Sequence, residues 1–327
     1  MLYINNGGIT DASLNLAIEE YAVMNLDIDE TYLLFYTNAP SIIIGKNQNT
    51  FEEINLDYVR KNDIRVVRRL SGGGAVYHDL GNLNFSFITK NDGDSFRNFR
   101  RFTEPMVQAL QSMGVNAELT GRNDLQIGDK KISGNAQFTT RGRMFSHGTL
   151  MFDVNLDDVA KALQVKPDKI ESKGIKSVRS RVANIRDYLR EDMTLDQFRM
   201  ALLHTIFPES HTPEYRLTQA DWENIHRISN ERYRSWDWNF GKSPEFNKQV
   251  SRRFPIGSID IRMTIKNGVI EACKIYGDFF GIGEILDVEN RLIGCRYDYD
   301  EIRAAMSDVN IQDYFGKIDL EDFLSLF

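Results

Sequence analysis

The chain has 327 residues, too many for one hydrophobic core, and its 42% hydrophobic and 27% charged content excludes fibrous and disordered classes. A net charge of −7 excludes general affinity for nucleic acid. Two cysteines, Cys273 and Cys295, exclude a disulfide framework.

The strand-like opening MLYI is followed by a helix that Thr10 or Asp11 can cap, with Leu14, Ala17, Ile18 and Tyr21 at helical spacing. TYLLFYT and SIIIG read as strands on either side of the turn Asn38-Ala39-Pro40. EEINLDYVRKN reads as a helix, IRVVRRL as a strand, and NLNFSFI as a strand with Leu83, Phe85 and Phe87 on one buried face. A helix from about Arg97 to Met113 closes at Gly114. A hairpin turns at Gly128-Asp129. Basic residues gather in PDKIESKGIKSVRSRVANI, and polar helices continue to about residue 235. Residues 246–255, aperiodic and charged, read as a linker between a domain at 1–245 and a small one at 256–327. The small domain has a strand pair around Asn267-Gly268 and two short helices. Elements alternate without a βαβ rhythm, so the expected class is α+β with a largely antiparallel sheet and flanking helices.

No apolar run approaches the ~20 residues of a membrane span. The N-terminus lacks the basic and apolar regions of a secretory signal, so a cytoplasmic location without membrane or nucleic-acid partners is expected. His78, His147, His204, His211 and His226 are scattered, with no HExxH or CxxC pattern, so no resident metal site is expected.

The strongest local signal is Arg68-Arg69-Leu70-Ser71-Gly72-Gly73-Gly74-Ala75-Val76-Tyr77-His78-Asp79. Three glycines let the backbone approach a ligand and turn N–H groups toward an anion, and two arginines add permanent charge. The loop is neither a Walker A motif nor GxGxxG. Gly241-Lys242-Ser243 has Trp236 where the first glycine should stand.

A second constellation joins Gly121-Arg122-Asn123-Asp124-Leu125 to Lys130-Lys131-Ile132-Ser133-Gly134-Asn135-Ala136-Gln137. In a strand, Lys131 and Ser133 would share a face opposite Ile132; with Ile132 in the core, Lys131 faces a ligand. A solvated lysine pair at a hairpin is the other reading. In His147-Gly148-Thr149-Leu150-Met151 the histidine is either structural or functional, and the segment 173–181 is either a solvated face or a surface for an acidic partner.

RRLSGGGAVYHDLGN, GRNDL, KISGNAQ, HGTLM and KGIKSVRSRV resemble, in order and spacing, the signature segments of the lipoate–protein ligase A family. NLAIEEY, GKNQN and WNFGKSP extend the resemblance over nearly the whole chain. The GRGRxG-type loop of the related biotin ligases is not found. The resemblance implies a biotin/lipoate ligase-like fold with a small C-terminal accessory domain. It implies activation of lipoate by ATP, with Mg²⁺, to lipoyl-AMP and pyrophosphate. The lipoyl group then passes to a lysine of lipoyl domains of 2-oxoacid dehydrogenase complexes or of a glycine-cleavage H protein.

By the same resemblance, Lys131 is the catalytic residue, bridging the lipoate carbonyl oxygen and the α-phosphate. Arg69, Gly74, Ala75, Val76 and Tyr77 match nucleotide-binding positions, with Ser71, Gly72 and Gly73 in the same loop. Asp124 and His147 line the pocket. A mobile small domain, hinged at 246–255, would shield the reactive anhydride from water. The alternatives are an octanoyl or lipoyl transferase without the activation step, for which a catalytic-domain cysteine is missing, and a non-catalytic binder of lipoate or its carrier.

Overall fold

The computed structural model describes residues 1–163, 181–208, 212–240 and 246–327. Most of the basic segment at 173–181 and the Gly241-Lys242-Ser243 triplet lie outside the described residues. The chain forms two compact units. The first comprises Met1–Ile44, Phe51–Arg68 and Ala75–Asn239; the second comprises Gly45–Thr50, Arg69–Gly74 and Phe240–Phe327.

The first unit carries β1 (Leu2–Asn5), β2 (Tyr32–Tyr36), β3 (Ser41–Ile44), β4 (Arg65–Arg68), β5 (Val76–His78) and β6 (Asn82–Lys90). It continues with β7 (Glu118–Thr120), β8 (Asp124–Ile127), β9 (Lys130–Thr140), β10 (Arg143–Met151) and β11 (Glu214–Tyr215). An eight-stranded sheet runs β11-β1-β2-β6-β10-β9-β8-β7, and a three-stranded sheet runs β4-β3-β5. The large sheet is antiparallel from β2 to β7, and β1 runs parallel to both its neighbours, β11 and β2. This is the α+β architecture expected from the sequence.

Alternation in β6 decides which face of the sheet is apolar. Leu83, Phe85 and Phe87 enter the main core, together with Phe102 and Met106 of the helix Phe99–Ser112 and Phe198 and Leu202 of the helix Leu195–Ile206. Each such side chain contributes about 1.5–3 kcal/mol by leaving water. The helix Phe99–Ser112 ends where Gly114, at φ +88°, donates its N–H to the Gln111 carbonyl.

The helix Ala12–Asn25 starts where the Asp11 side chain accepts from Ser13 N at 2.8 Å. It is enclosed on nearly all sides, so even Glu19 and Glu20 are buried. Burial pushes the Glu20 carboxyl up, against the pull of Arg232.

A buried carboxylate ties this helix to the helix Gln219–Ile228. Asp221 accepts from Tyr21, from Tyr215 at 3.1 Å and from Thr218 N at 2.8 Å. Burial pushes its carboxyl up, but these bonds outweigh it and hold it below the usual carboxylate range. A lowered pKa means stability that is full above pH about 4 and lost as pH falls through the folded value. Asp221→Ala should therefore cost about 1–3 kcal/mol at pH 7, with a smaller deficit at pH 3. Urea unfolding at both pH values checks this; an equal deficit at both would show that the carboxylate charge is irrelevant.

The second unit is built on the antiparallel sheet β12 (Lys248–Phe254), β13 (Gly257–Lys266) and β14 (Val269–Gly277). The β13–β14 turn is Asn267-Gly268, both at positive φ (+52° and +78°), as a two-residue hairpin turn requires. Among the described residues four helices, not the two read from the sequence, complete it: Ile285–Leu292, Tyr299–Met306, Ile311–Phe315 and Leu320–Leu324.

The stretch read as a linker holds regular structure, since Lys248–Phe254 is a strand bonded along its length to β13. It is an edge strand whose side chains are mostly exposed, with Phe254 buried, so no apolar alternation marks it. Among the described residues no helix is long and apolar enough to cross a membrane.

Candidate active site

Lys131 owes its direction to an irregularity in the β8–β9 pair. Leu125 lies opposite Ser133 and Gln126 opposite Lys131, which leaves Ile132 as an extra residue. Leu125 and Ile132 are both core residues. Cross-strand partners share a face, so Ser133 also points to the core side, where its Oγ accepts from Asn135 Nδ2 at 3.2 Å. The expectation that Lys131 and Ser133 share a face is thereby corrected, since the bulge reverses the parity. Lys131 instead shares its face with Gly134, whose partner across the sheet is Asp124.

The Lys131 ammonium lies 2.8 Å from Asp124 Oδ1, with side chains 36% and 32% exposed. A pair this open contributes about 0–1 kcal/mol, so the ammonium can turn to a ligand at little cost. A Cβ on Gly134 would come within 3.0 Å of Nζ. The glycine therefore leaves the space that the ammonium occupies. The Lys131 carbonyl accepts from Ala183 N at 3.0 Å, which holds the strand from its other edge.

Farther along the same face stands His147 on β10, opposite Ala136. Its Nδ1 is 2.9 Å from Glu19 Oε2, and both side chains are buried. Thr149 Oγ1 accepts from Gly134 N at 3.1 Å, tying β10 to β9 beside Lys131. Gly148 faces the core instead. A Cβ there would lie 2.1 Å from Asn135 Oδ1 and 2.6 Å from the Phe85 ring, which accounts for glycine after the histidine. Glu19 was not singled out from the sequence; its signal was two adjacent glutamates inside an otherwise apolar helix.

Val76 and Tyr77 lie on β5, opposite Ile43 and Ile42 of β3, with Ala75 just before them. Burial, with Asp79 nearby, pushes the Tyr77 phenol up, and its hydroxyl engages Asp158. His78 Nδ1 is bonded to Asn38 Nδ2 at 3.0 Å. In the preceding strand, Arg68 donates its guanidinium to the carbonyls of Trp238 (2.9 Å) and Asn239 (3.2 Å). Its own N–H and carbonyl meet Asn239 Oδ1 and Trp238 Nε1, each at 2.8 Å. The Trp-Asn of WNFGKSP is thus a clamp on β4.

The second unit holds Arg69, Ser71, Gly72, Gly73 and Gly74 as one loop. The buried Arg69 guanidinium donates to Ser71 Oγ (3.0 Å) and to the carbonyls of Gly72 (2.7 Å) and Gly74 (2.8 Å). The sequence presents both arginines as charge for a ligand; each is also hydrogen-bonded to protein oxygen. With the carbonyls gathered toward Arg69, Gly72, Gly73 and Gly74 donate no backbone hydrogen bond among the described residues. Such N–H groups suit an anion.

The fold that carries these groups is that of a lipoate ligase. The P. falciparum LipL1 structure in complex with lipoate superimposes with a TM-score of 0.79 over 99% of this chain and 97% of its own, at 24% identity. At 31% identity, a lipoate-protein ligase A bound with ATP matches with a TM-score of 0.62 over 74% of this chain and 97% of that one. A family model for the lipoyl protein ligase A/B catalytic domain matches residues 11–207, and one for the bacterial lipoate protein ligase C-terminus matches residues 243–327. The Bacillus subtilis lipoate-protein ligase LplJ is 61% identical over 329 residues, covering 100% of this chain and 99% of the relative. Lipoate–protein ligase 1 of Staphylococcus aureus is 56% identical, with the same coverage. The chain belongs to the lipoate–protein ligase family and is a ligase that forms a carbon–nitrogen bond.

Proposed function

We propose that this chain activates lipoate with ATP to lipoyl-AMP, releasing pyrophosphate, and then passes the lipoyl group to a lysine of a carrier domain, releasing AMP. The observation that carries this reading is the partly exposed Lys131 ammonium, held on the sheet face opposite the main core and paired, among the described residues, with Asp124 alone.

In the first step the lipoate carboxylate oxygen bonds to the α-phosphorus as the bond to pyrophosphate breaks. Two anions must meet, so a positioned cation between them supplies much of the catalysis. Lys131 takes that role. In the second step the acceptor amine bonds to the acyl carbon, AMP leaves, and the amine gives up a proton. Charge then builds on the acyl oxygen, and the same ammonium stabilises it.

The N–H groups of Gly72, Gly73 and Gly74 receive phosphate oxygens, with Ser71, Ala75, Val76 and Tyr77 around the nucleotide. Arg69 serves by holding the loop carbonyls away. Asp124 and His147 line the lipoate side. Beside the phosphates, a nucleotide-borne Mg²⁺ would need one or two carboxylates. Asp124, next to Lys131, is the carboxylate that would hold it. The ion, when bound, offsets phosphate charge.

In this reading the catalytic residues belong to a domain at 1–245, and 256–327 is an accessory domain. The setting is the cytoplasm. The acceptors are lipoyl domains of 2-oxoacid dehydrogenase complexes or a glycine-cleavage H protein; a Thermoplasma acidophilum relative at 31% identity was solved as a bi-partite ligase and its E2 lipoyl domain. Incubating the chain with a purified lipoyl domain, ATP, Mg²⁺ and lipoate should add one lipoyl mass to the domain and release pyrophosphate. Transfer from supplied lipoyl-AMP without pyrophosphate release from ATP would leave only the transferase reading. Neither product would leave a binder.

A cysteine thioester route is disfavoured by both thiols. Cys273 is buried in the second unit's core, where burial pushes its thiol up to about 12. Burial raises the Cys295 thiol as well. The double variant Cys273→Ser, Cys295→Ser should keep the ligase rate within about twofold, since neither thiol is poised as a nucleophile. A lipoyl group found on the wild-type enzyme as a hydroxylamine-sensitive thioester would overturn this.

A further inference from the structure

The glycine loop is backed by residues 277–284 of the second unit. Phe279 is fully buried, its ring 4.9 Å from Phe315, so its carbonyl is a fixed point. A Cβ on Gly72 would lie 2.4 Å from that carbonyl oxygen. One on Gly73, which sits at φ +91°, would lie 2.6 Å from the Phe280 ring. At Gly74 nothing stands within 4 Å. The glycine run is therefore divided: two residues are small because protein abuts them, and the third borders open space.

The same backing segment grips the loop 45–50. Gly277 donates to the Asn47 carbonyl at 2.7 Å, and Glu284 meets Lys46 Nζ at 2.9 Å. That loop is in turn knitted to the glycine loop. Lys46 N donates to the Ser71 carbonyl at 2.9 Å, and the Gly73 carbonyl oxygen fills the space where a Gly45 Cβ would be.

We infer that Phe280 is a positioning residue for nucleotide binding: its ring braces Gly73, and through it the N–H groups of residues 72–74, in the arrangement that receives a phosphate. This rests on the reading of the loop as the phosphate site. A ring braced on a left-handed glycine restricts the loop before any ligand arrives, and such preorganisation raises affinity without a new contact. The effect should fall on ATP and spare lipoate.

The test uses full-length Phe280→Ala and Phe280→Leu. Without nucleotide, amide exchange over 45–48, where Lys46 N is bonded to the Ser71 carbonyl, should quicken in Phe280→Ala, with β9 unchanged. In pyrophosphate release, KM for ATP should rise about tenfold, KM for lipoate should stay within about twofold, and Phe280→Leu should fall between. Unchanged exchange over 45–48 would overturn the bracing itself. Faster exchange with an unchanged KM for ATP would overturn the inference through the phosphate reading beneath it. Parallel rises in both KM values with faster exchange in β9 would mean general loosening, and would also overturn it.

Discussion

Lys131→Ala is expected to slow both half-reactions by on the order of 10²–10³, the loss seen when a preorganised charge-stabilising donor is removed. The variant should fold normally, because the side chain is 36% exposed and its ion pair with Asp124 is open to solvent. Lys131→Arg should not restore the rate. A planar guanidinium cannot replace a compact ammonium in the space that Gly134 leaves. Asp124→Asn separates the charge from its partner: it leaves the ammonium in place and removes an ion pair of about 0–1 kcal/mol, so in transfer from supplied lipoyl-AMP, which needs no nucleotide-borne ion, its effect should be far smaller. Pyrophosphate release measures the first step, and acylation of a lipoyl domain by supplied lipoyl-AMP measures the second. Near-normal rates for Lys131→Ala in both assays would remove Lys131 from the chemistry.

The next largest effect is expected at Gly45, remote in sequence from the glycine loop but adjacent in space. A methyl group there would sit 1.9 Å from the Gly73 carbonyl oxygen and 3.0 Å from its carbonyl carbon. Backbone cannot swing aside as a flexible side chain can, so the loop must shift by about 1 Å or more. A displacement of that size can cost about 10²-fold in rate. Gly45→Ala should therefore lose ATP-dependent adenylation by about that factor while the core melts nearly as before. Gly74→Ala makes the contrast. With nothing within 4 Å of the new methyl group, its Tm should match the wild type, and a raised KM for ATP would place the nucleotide there. A Gly45→Ala enzyme with normal pyrophosphate release would show that the loop geometry is not needed.

Particular residues show where sequence reading stops. Leu83, Phe85 and Phe87 announced their strand because alternation is a local property of the chain, and they are core residues. Asn267-Gly268 announced its turn for the same reason, since both residues take positive φ. Ser133 could not be placed that way. Its face depends on a bulge, and the bulge exists only relative to the partner strand β8. Phe254 ends a strand that its own pattern conceals, because an exposed edge strand needs no apolar alternation. Glu19 and His147, 128 positions apart, meet only when a helix packs on the sheet.

The sequence by itself determined the α+β class, the strands and turns with local signatures, and the motifs that assign the family. Each of these is written in contiguous residues, in hydrophobic period, turn chemistry or motif order. Tertiary structure alone decided which way Lys131 points, what holds the two arginines, and which glycines abut protein. Those are properties of pairs distant in the chain: Gly134 beside Lys131 Nζ by virtue of the bulge, the Gly72 and Gly74 carbonyls around Arg69, and Phe280 against Gly73. A one-residue slip reverses every side chain beyond it, and a carbonyl two ångströms away can forbid a methyl group.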